Sequence, residues 1–130
     1  MTANDNSCVQ PEPMDDYRMR VNLVEGSVSF RFSRTAAEAL RQQIQALMER
    51  MRAIATAKTA GTPLPPQAAM EYQHVGEVFF EVFCNPNIWA NPYAAKVLLT
   101  VRDDRIRLTT EAELNRLVED LNQFLESAPP

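Results

Sequence analysis

Residues 18–38 read RMRVNLVEGSVSFRFSRTAAE. This stretch decides the fold because the spacing of its apolar side chains changes from that of a strand to that of a helix. Apolar and polar side chains alternate over residues 18–23, which is the pattern of a half-buried strand. Glu25-Gly26 supplies a turn, and a second alternating run follows over residues 27–32. The stretch therefore predicts a β-hairpin with one apolar face that leads directly into a helix.

The helix after this hairpin is predicted from its first turn and from its apolar stripe. Thr35 and Glu38 have the T-x-x-E spacing of a capping box, so the helix is expected to begin at Thr35. Apolar residues then recur in steps of three and four over residues 37–54, which places one stripe on one side of the helix. A coiled-coil seam has the same spacing, but this stripe covers only about two and a half heptads. Lys58 and Gly61 suit the end of the helix, as a cation at the negative pole and as a left-handed closing residue.

The chain uses this hairpin-helix unit twice, over residues 18–59 and again over residues 96–126. In the second copy, Asp103-Asp104 is predicted to form the turn of the hairpin, and Thr110–Glu113 repeats the capping-box spacing. The second helix is expected to run to Glu126. The side chains predicted to face the core from this hairpin are Val97, Leu99, Val101, Ile106 and Leu108. The two copies share little residue identity, so the repeat is one of architecture.

The segment between the two copies has a different character. Thr62–Pro66 predicts a stiff, extended connector, and Gln67–Gln73 is expected to form a short helical turn. Residues 78–84 predict a strand that is apolar on both faces, since Phe79 and Phe83 lie on its second face. Such a strand is usually central in a sheet, or a partner covers its second face.

Together these elements predict an α+β fold with the order β-β-α-β-β-β-α. The expected architecture is a five-stranded, mostly antiparallel sheet with two amphipathic helices packed on one face. At 130 residues the chain fits one domain. We expect that domain to cover residues 17–126, with a disordered acidic tail at residues 1–16 and a frayed C-terminus at residues 127–130.

Composition and charge narrow the function classes. The net charge of −4 argues against a protein whose whole surface attracts nucleic acid. Cys8 lies in the polar tail and Cys84 in an apolar run, so no disulfide framework is expected. The N-terminus does not resemble a secretory signal, and no stretch has the length of a membrane span. The expected location is the cytoplasm.

Catalytic and metal-binding patterns are missing from the sequence. His74, the single histidine, has no cysteine or carboxylate at metal-ligand spacing. Cys84 is predicted to lie on the same strand as His74, roughly 33 Å away when extended, which excludes a nucleophile-base pair. Three glycines cannot build a phosphate-binding loop. We expect no enzyme activity, no cofactor and no metal.

Two surfaces remain as candidates for binding. One is the outer sheet face, where alternation gathers arginines and phenylalanines; the other is the loop around Trp89, which two Asn-Pro pairs bracket. The residues predicted to bind a partner are Phe79, Phe83, Ile88, Trp89, Tyr93, Leu98, Arg102, Arg105 and Arg107. Trp89 is either an exposed anchor of an interface or a cap on the core, and the outer face is either a site or merely solvated.

These two surfaces predict which classes of partner the protein binds. A protein or peptide fits the aromatic loop. An acidic peptide or a second copy of the sheet fits the mixed outer face, and the second copy would give a homodimer. The alternative is single-stranded nucleic acid on the outer face, which is predicted to carry further cations from the first hairpin and from the start of the second. These further cations are Arg18, Arg20, Arg31 and Lys96.

Residues 103–126, DDRIRLTTEAELNRLVEDLNQFLE, resemble the C-terminal ends of small cyanobacterial proteins. Among proteins of this kind are accessory factors that chaperone carboxysome shell assembly by gripping a tail of a shell protein. The resemblance rests mainly on a capped amphipathic helix and carries over no functional residue. It implies an adaptor or assembly chaperone that binds a peptide tail.

Overall fold

The computed structural model of the protein describes residues 18–128. In this part of the chain six strands and two helices follow one another in the order β-β-α-β-β-β-β-α. The strands are β1 (Arg18–Leu23), β2 (Gly26–Arg31), β3 (Met70–Val75), β4 (Phe79–Cys84), β5 (Lys96–Arg102) and β6 (Arg107–Glu113). The helices are α1 (Arg34–Thr59) and α2 (Leu114–Ser127), and a 3-10 turn at Pro92–Ala94 precedes β5. The predicted acidic tail, residues 1–16, lies outside the described residues, as do Pro129 and Pro130.

The strands form two antiparallel sheets, of two and four strands, and not the predicted single sheet of five. Within the described residues β1 pairs with β2 alone, while the second sheet has the order β3-β4-β5-β6. The α+β class is confirmed. The predicted sheet is wrong for two reasons: the first hairpin is a sheet of its own, and residues 70–75 add a strand that the prediction lacked.

Strand β3 replaces the helical turn predicted over Gln67–Gln73. Its side chains are alternately buried and exposed, which is the period of a strand and not of a helix. A tight reversal at residues 76–78 joins it to β4. The hydroxyl group of Tyr72 donates a hydrogen bond to the carbonyl oxygen of Ala36 at 3.0 Å. This bond ties the edge of the sheet to the first turn of α1.

One core joins both sheets to both helices. Phe80 of β4 is fully buried, and its ring centroid lies 4.7 Å from that of Phe30 and 5.6 Å from that of Phe32. The face of the four-stranded sheet that bears Phe80 is therefore the inner face, and the opposite one is the outer face. The prediction that Val97, Leu99 and Val101 face the core is confirmed. The helices bury Leu40, Ile44, Leu47, Leu114, Leu117, Leu121 and Phe124 against this sheet face and the hairpin.

The start of α1 differs from the predicted capping box. Ser33, whose backbone is extended, is the N-cap, and its side chain accepts a hydrogen bond from the backbone amide of Ala36 at 3.0 Å. Thr35 therefore lies inside the first turn, and Glu38 pairs with Arg34 at 3.4 Å. The prediction failed because two hydroxyl residues two positions apart can both cap, and backbone geometry selects the earlier one. At the other end of the helix, the left-handed Gly61 is confirmed by its φ of 79°.

The second predicted capping box is also wrong. Thr110–Glu113 belongs to β6, and α2 begins at Leu114 without a side-chain cap. The turn predicted at Asp103 is present, because its carboxylate accepts hydrogen bonds from the backbone amides of Arg105 and Ile106, each at 2.8 Å. These bonds hold the pKa of Asp103 below its ordinary value. Ile106 is thereby kept in the turn, where it is 68% exposed instead of facing inward as predicted.

Candidate partner-binding site

The outer face of the four-stranded sheet carries an apolar pair at its centre. The strand register places Phe83 of β4 directly opposite Leu98 of β5, and their exposed fractions are 37% and 44%. The same register places Glu71 on the other side of Phe83 and Glu111 on the other side of Leu98. Across the four strands, Phe83 and Leu98 therefore form an adjacent apolar pair with a carboxylate on either side. Both apolar side chains remain accessible.

The loop after β4 is held in place by its asparagines. The side-chain oxygen of Asn85 accepts hydrogen bonds from the backbone and side-chain amides of Asn87, at 3.0 and 2.8 Å. Asn87 in turn exchanges two hydrogen bonds of 2.8 Å with the backbone of Gln67, in the connector that precedes β3. Asn91 caps the 3-10 turn by accepting from the amide of Ala94 at 3.0 Å. The loop is thus fixed at both ends.

This loop completes a hollow beside the apolar pair. Ile88 is 66% exposed, whereas Trp89 is half-buried and packs against the core. Together with Phe83 and Leu98 they line a cavity of about 180 Å3, which we call the Trp89 hollow. The remaining lining residues are Cys84, Asn85, Lys96, Val97 and Glu111. Four of the predicted binding residues therefore converge on one apolar depression with a cation and an anion beside it.

Trp89 has features of both interpretations that the sequence left open, the core cap and the interface anchor. Its ring covers part of the core, as expected of a capping residue, yet it also lines the hollow. Its indole nitrogen Nε1 is buried and has no hydrogen-bond partner among the described residues. A buried donor without an acceptor costs about 1–3 kcal/mol. The loop therefore retains a polar group that its own packing does not satisfy.

The other predicted residues do not join the hollow. Phe79 lies on the outer face four positions before Phe83, about 13 Å along the strand. The guanidinium group of Arg102 stacks on the Phe79 ring at 4.3 Å from its centroid, and the register places Arg107 next to Arg102. Arg105 is exposed in the hairpin turn, at the same end of the sheet. Tyr93 is 82% exposed in the 3-10 turn and lies outside the lining of the hollow.

The arginines predicted to share this face with the phenylalanines are divided between two sheets. Arg18, Arg20 and Arg31 belong to the first hairpin, so only Arg102 and Arg107 remain on the outer face with Lys96. Arg31 also forms an ion pair with Glu77 at 2.9 Å. The prediction of one continuous arginine-rich face is therefore wrong, because it assumed a single sheet.

The one histidine and the buried cysteine lie on different strands, not on the single strand that was predicted. His74 of β3 is opposite Phe80, whereas Cys84 of β4 is opposite Met70. The two side chains are thus four positions apart along the ladder, about 13 Å, which is too far for proton transfer between them. Burial raises the pKa of the Cys84 thiol and disfavours its nucleophilic form. Among the described residues no group of three His, Cys, Asp or Glu side chains could hold a metal ion.

Glu111 is the site residue that the sequence analysis missed. Because Thr110–Glu113 has the spacing of a capping box, Glu111 was expected in the first turn of a helix. Continuing the strand alternation from Arg107 would have placed Glu111 on the outer face, next to Leu98. Strand alternation was therefore the better signal at this position.

Comparison with known proteins gave no match: no family model, no curated protein and no solved structure is significantly similar to the chain. Between residues 18 and 128, neither helix combines the length and the apolar character needed to cross a bilayer.

Proposed function

We propose that the protein is a non-enzymatic interaction module, an adaptor or assembly chaperone, that binds an apolar anchor of a protein partner in the Trp89 hollow. The observation that carries this proposal is the convergence of Phe83, Leu98, Ile88 and Trp89 on one accessible depression of the uncovered sheet face. Large apolar side chains that meet on an exposed surface mark interaction sites more often than scattered ones do. Aromatic residues in such pockets are common interface anchors.

The dimensions of the hollow suggest what enters it. A cavity of about 180 Å3 accommodates one aromatic or branched aliphatic side chain. Fully burying such a side chain contributes about 1.5–3 kcal/mol, and micromolar affinity requires about 8 kcal/mol net. The anchor alone is therefore insufficient, and the partner must also contact the neighbouring outer face. Lys96 and Glu111 offer one charge of each sign for that purpose.

Nucleic acid is disfavoured as the partner of this face. Phosphates attract clustered cations, but here Glu71, Glu81, Glu111 and Glu113 lie on the outer face among Lys96, Arg102 and Arg107. A second copy of the chain is the other occupant of the hollow that the test must separate from a foreign peptide.

The test uses peptides selected on the immobilised full-length protein from a random library. We expect the selected peptides to share one aromatic or aliphatic anchor and to lose more than about tenfold in affinity for Leu98→Asp and Ile88→Asp. Leu64 and Ile106 provide matched controls, because they are the same residue types with similar exposed fractions, 43% and 68%, outside the hollow. Leu64→Asp and Ile106→Asp should bind like the wild type.

Three outcomes would contradict the proposal. The first is selected peptides that bind all four variants equally well. The second is a light-scattering mass of a dimer that Phe83→Asp converts to a monomer, which would assign the outer face to a second copy. The third is binding of single-stranded RNA with a steep loss of affinity as salt rises, abolished by Arg102→Glu, since that dependence reports phosphate contacts.

A further inference from the structure

The free edge of β1 carries backbone groups that no strand of the described residues pairs. β1 pairs with β2 alone in this part of the chain. The backbone amide of Asn22 points away from β2, because it donates a hydrogen bond to the carboxylate of Asp120 at 2.8 Å. Amide and carbonyl groups alternate between the two sides of an antiparallel strand. Those of Arg18 and Arg20 therefore point to the same free side as the amide of Asn22.

A groove of about 350 Å3 runs along this edge. One wall is β1, through Arg18 and Arg20, and the other is α2, through Gln123 and Ser127. Asp120 also lines the groove, but both of its carboxylate oxygens already accept hydrogen bonds from β1, at 2.8 and 2.7 Å. The remaining length of the groove offers arginine side chains and backbone groups that no strand between residues 18 and 128 pairs.

Two cations lie at this edge, in a groove that also holds the carboxylate of Asp120. Arg18 and Arg20 are exposed on one face of the strand, about 6.6 Å apart, and neither forms an ion pair within the described residues. Arg18 also lies directly opposite Arg31 in the hairpin register, and like charges at such positions destabilise a strand pair. Arg31 already pairs with Glu77, and an anion bound beside Arg18 would relieve the repulsion that this ion pair leaves.

We propose that the groove binds an extended acidic segment of a partner protein, which adds to the hairpin as a third strand beside β1. The backbone of the segment pairs with the free groups of Arg18 and Arg20, and carboxylates at every second position face the two guanidinium groups. A second copy of β1 does not fit, because it would place arginines against arginines. Nucleic acid does not fit either, because it has no amide and carbonyl ladder to match a strand edge. This site shares no lining residue with the Trp89 hollow.

A short labelled peptide of alternating Glu and Thr tests the proposal by fluorescence anisotropy on the full-length protein. We expect binding that weakens more than about tenfold in each of two modified peptides. One replaces Glu by Gln, which removes the charges. The other carries N-methyl groups on the amides that would face β1, which removes the ladder but keeps the charges. Binding should also slow hydrogen exchange at the backbone amide of Arg20.

Variants of the protein complete the design. The double variant Arg18→Glu, Arg20→Glu should abolish binding, while the control Arg41→Glu, Arg52→Glu, with the same charge change on exposed positions of α1, should leave it intact. Because the charge reversal itself could unfold the hairpin, Arg20→Gln serves as a milder variant, checked by circular dichroism. The proposal is overturned if the N-methylated or Gln peptide binds as well as the parent, or if the Arg20 amide exchanges unchanged under saturating peptide. It is also overturned if labelled oligothymidylate binds where the peptide does not.

Discussion

Asp120→Ala is expected to destabilise the fold by about 2–4 kcal/mol, because this carboxylate is the hydrogen-bonded link between α2 and the first hairpin. Asp120 is 6% exposed, and its two oxygens accept from the backbone and side-chain nitrogens of Asn22 at 2.8 and 2.7 Å. Hydrogen bonds to a charged acceptor contribute about 1.5–3 kcal/mol each. The two bonds would sum to about 3–6 kcal/mol. We expect a loss around the lower end of that range, about 2–4 kcal/mol, because the adjoining groove admits water to the donors that alanine would leave behind.

Urea unfolding measures this loss. With a slope of about 2 kcal/mol per molar urea, a loss of about 3 kcal/mol moves the midpoint down by roughly 1.5 M. Far-UV circular dichroism and the fluorescence of Trp89, the one tryptophan, should give coincident transitions if unfolding is two-state. Glu119→Ala is the matched control, because Glu119 is an exposed carboxylate on the same helix. It should change stability by less than about 0.5 kcal/mol.

The opposite result has a definite physical meaning. A buried carboxylate also carries a desolvation cost, and removing such a charge can be neutral or stabilising. If Asp120→Ala unfolds at the wild-type midpoint or above it, the hydrogen bonds from Asn22 do not outweigh that cost, and a stabilising role of Asp120 is refuted. A double-mutant cycle with Asn22→Ala isolates the side-chain bond, for which we expect a coupling energy of about 1 kcal/mol.

Three further predictions address the helix cap, the buried tyrosine and the buried thiol. Ser33→Ala should cost about 1 kcal/mol in thermal or urea unfolding and Thr35→Ala less than about 0.5, whereas the reverse order would restore the predicted capping box. Burial raises the pKa of Tyr72 to about 12, above its unfolded value of about 10. The protonated hydroxyl group of Tyr72 therefore contributes fully to stability below about pH 10, and this contribution disappears as the pH rises through about 12. Tyr72→Phe should remove this part of the alkaline loss of stability. In a Cys8→Ser variant, Cys84 should react with iodoacetamide only when the chain unfolds, and equally fast labelling with and without urea would contradict its burial.

Side-chain periodicity predicted much of the fold. Alternation over residues 18–23 and 97–101 and the helical stripe of α1 correctly placed the buried side chains of these elements except Thr100 and Ala36. These patterns were informative because each extends over several turns or residue pairs. Strand alternation over residues 78–84 also correctly placed Phe79 and Phe83 on the face opposite Phe80. What periodicity cannot give is which strands pair, so the split into two sheets was not predictable from these patterns.

Short sequence motifs predicted local structure less reliably than periodic patterns that extend over a whole strand or helix. A capping box spans four positions, and Thr110–Glu113 has that spacing inside a strand because Thr and Glu are tolerated on an exposed sheet face. Likewise Pro66 is compatible with the start of a helix, yet the residues after it complete a hairpin with β4. In both places strand pairing outweighed a local preference worth about 1 kcal/mol or less.

The two proposed surfaces use different groups that folding leaves unsatisfied. In the Trp89 hollow these are apolar side chains that the core does not bury, and at the edge of β1 they are backbone groups and cations that the hairpin does not pair. Because the surfaces share no lining residue, Leu98→Asp should not alter binding of the acidic peptide, and Arg20→Gln should not alter binding of the selected apolar peptides. A combined variant should lose both activities additively, as expected for distant sites. If instead either substitution weakens both ligands, the two surfaces form a single site, and the partner must cross from the outer face of the four-stranded sheet to the hairpin.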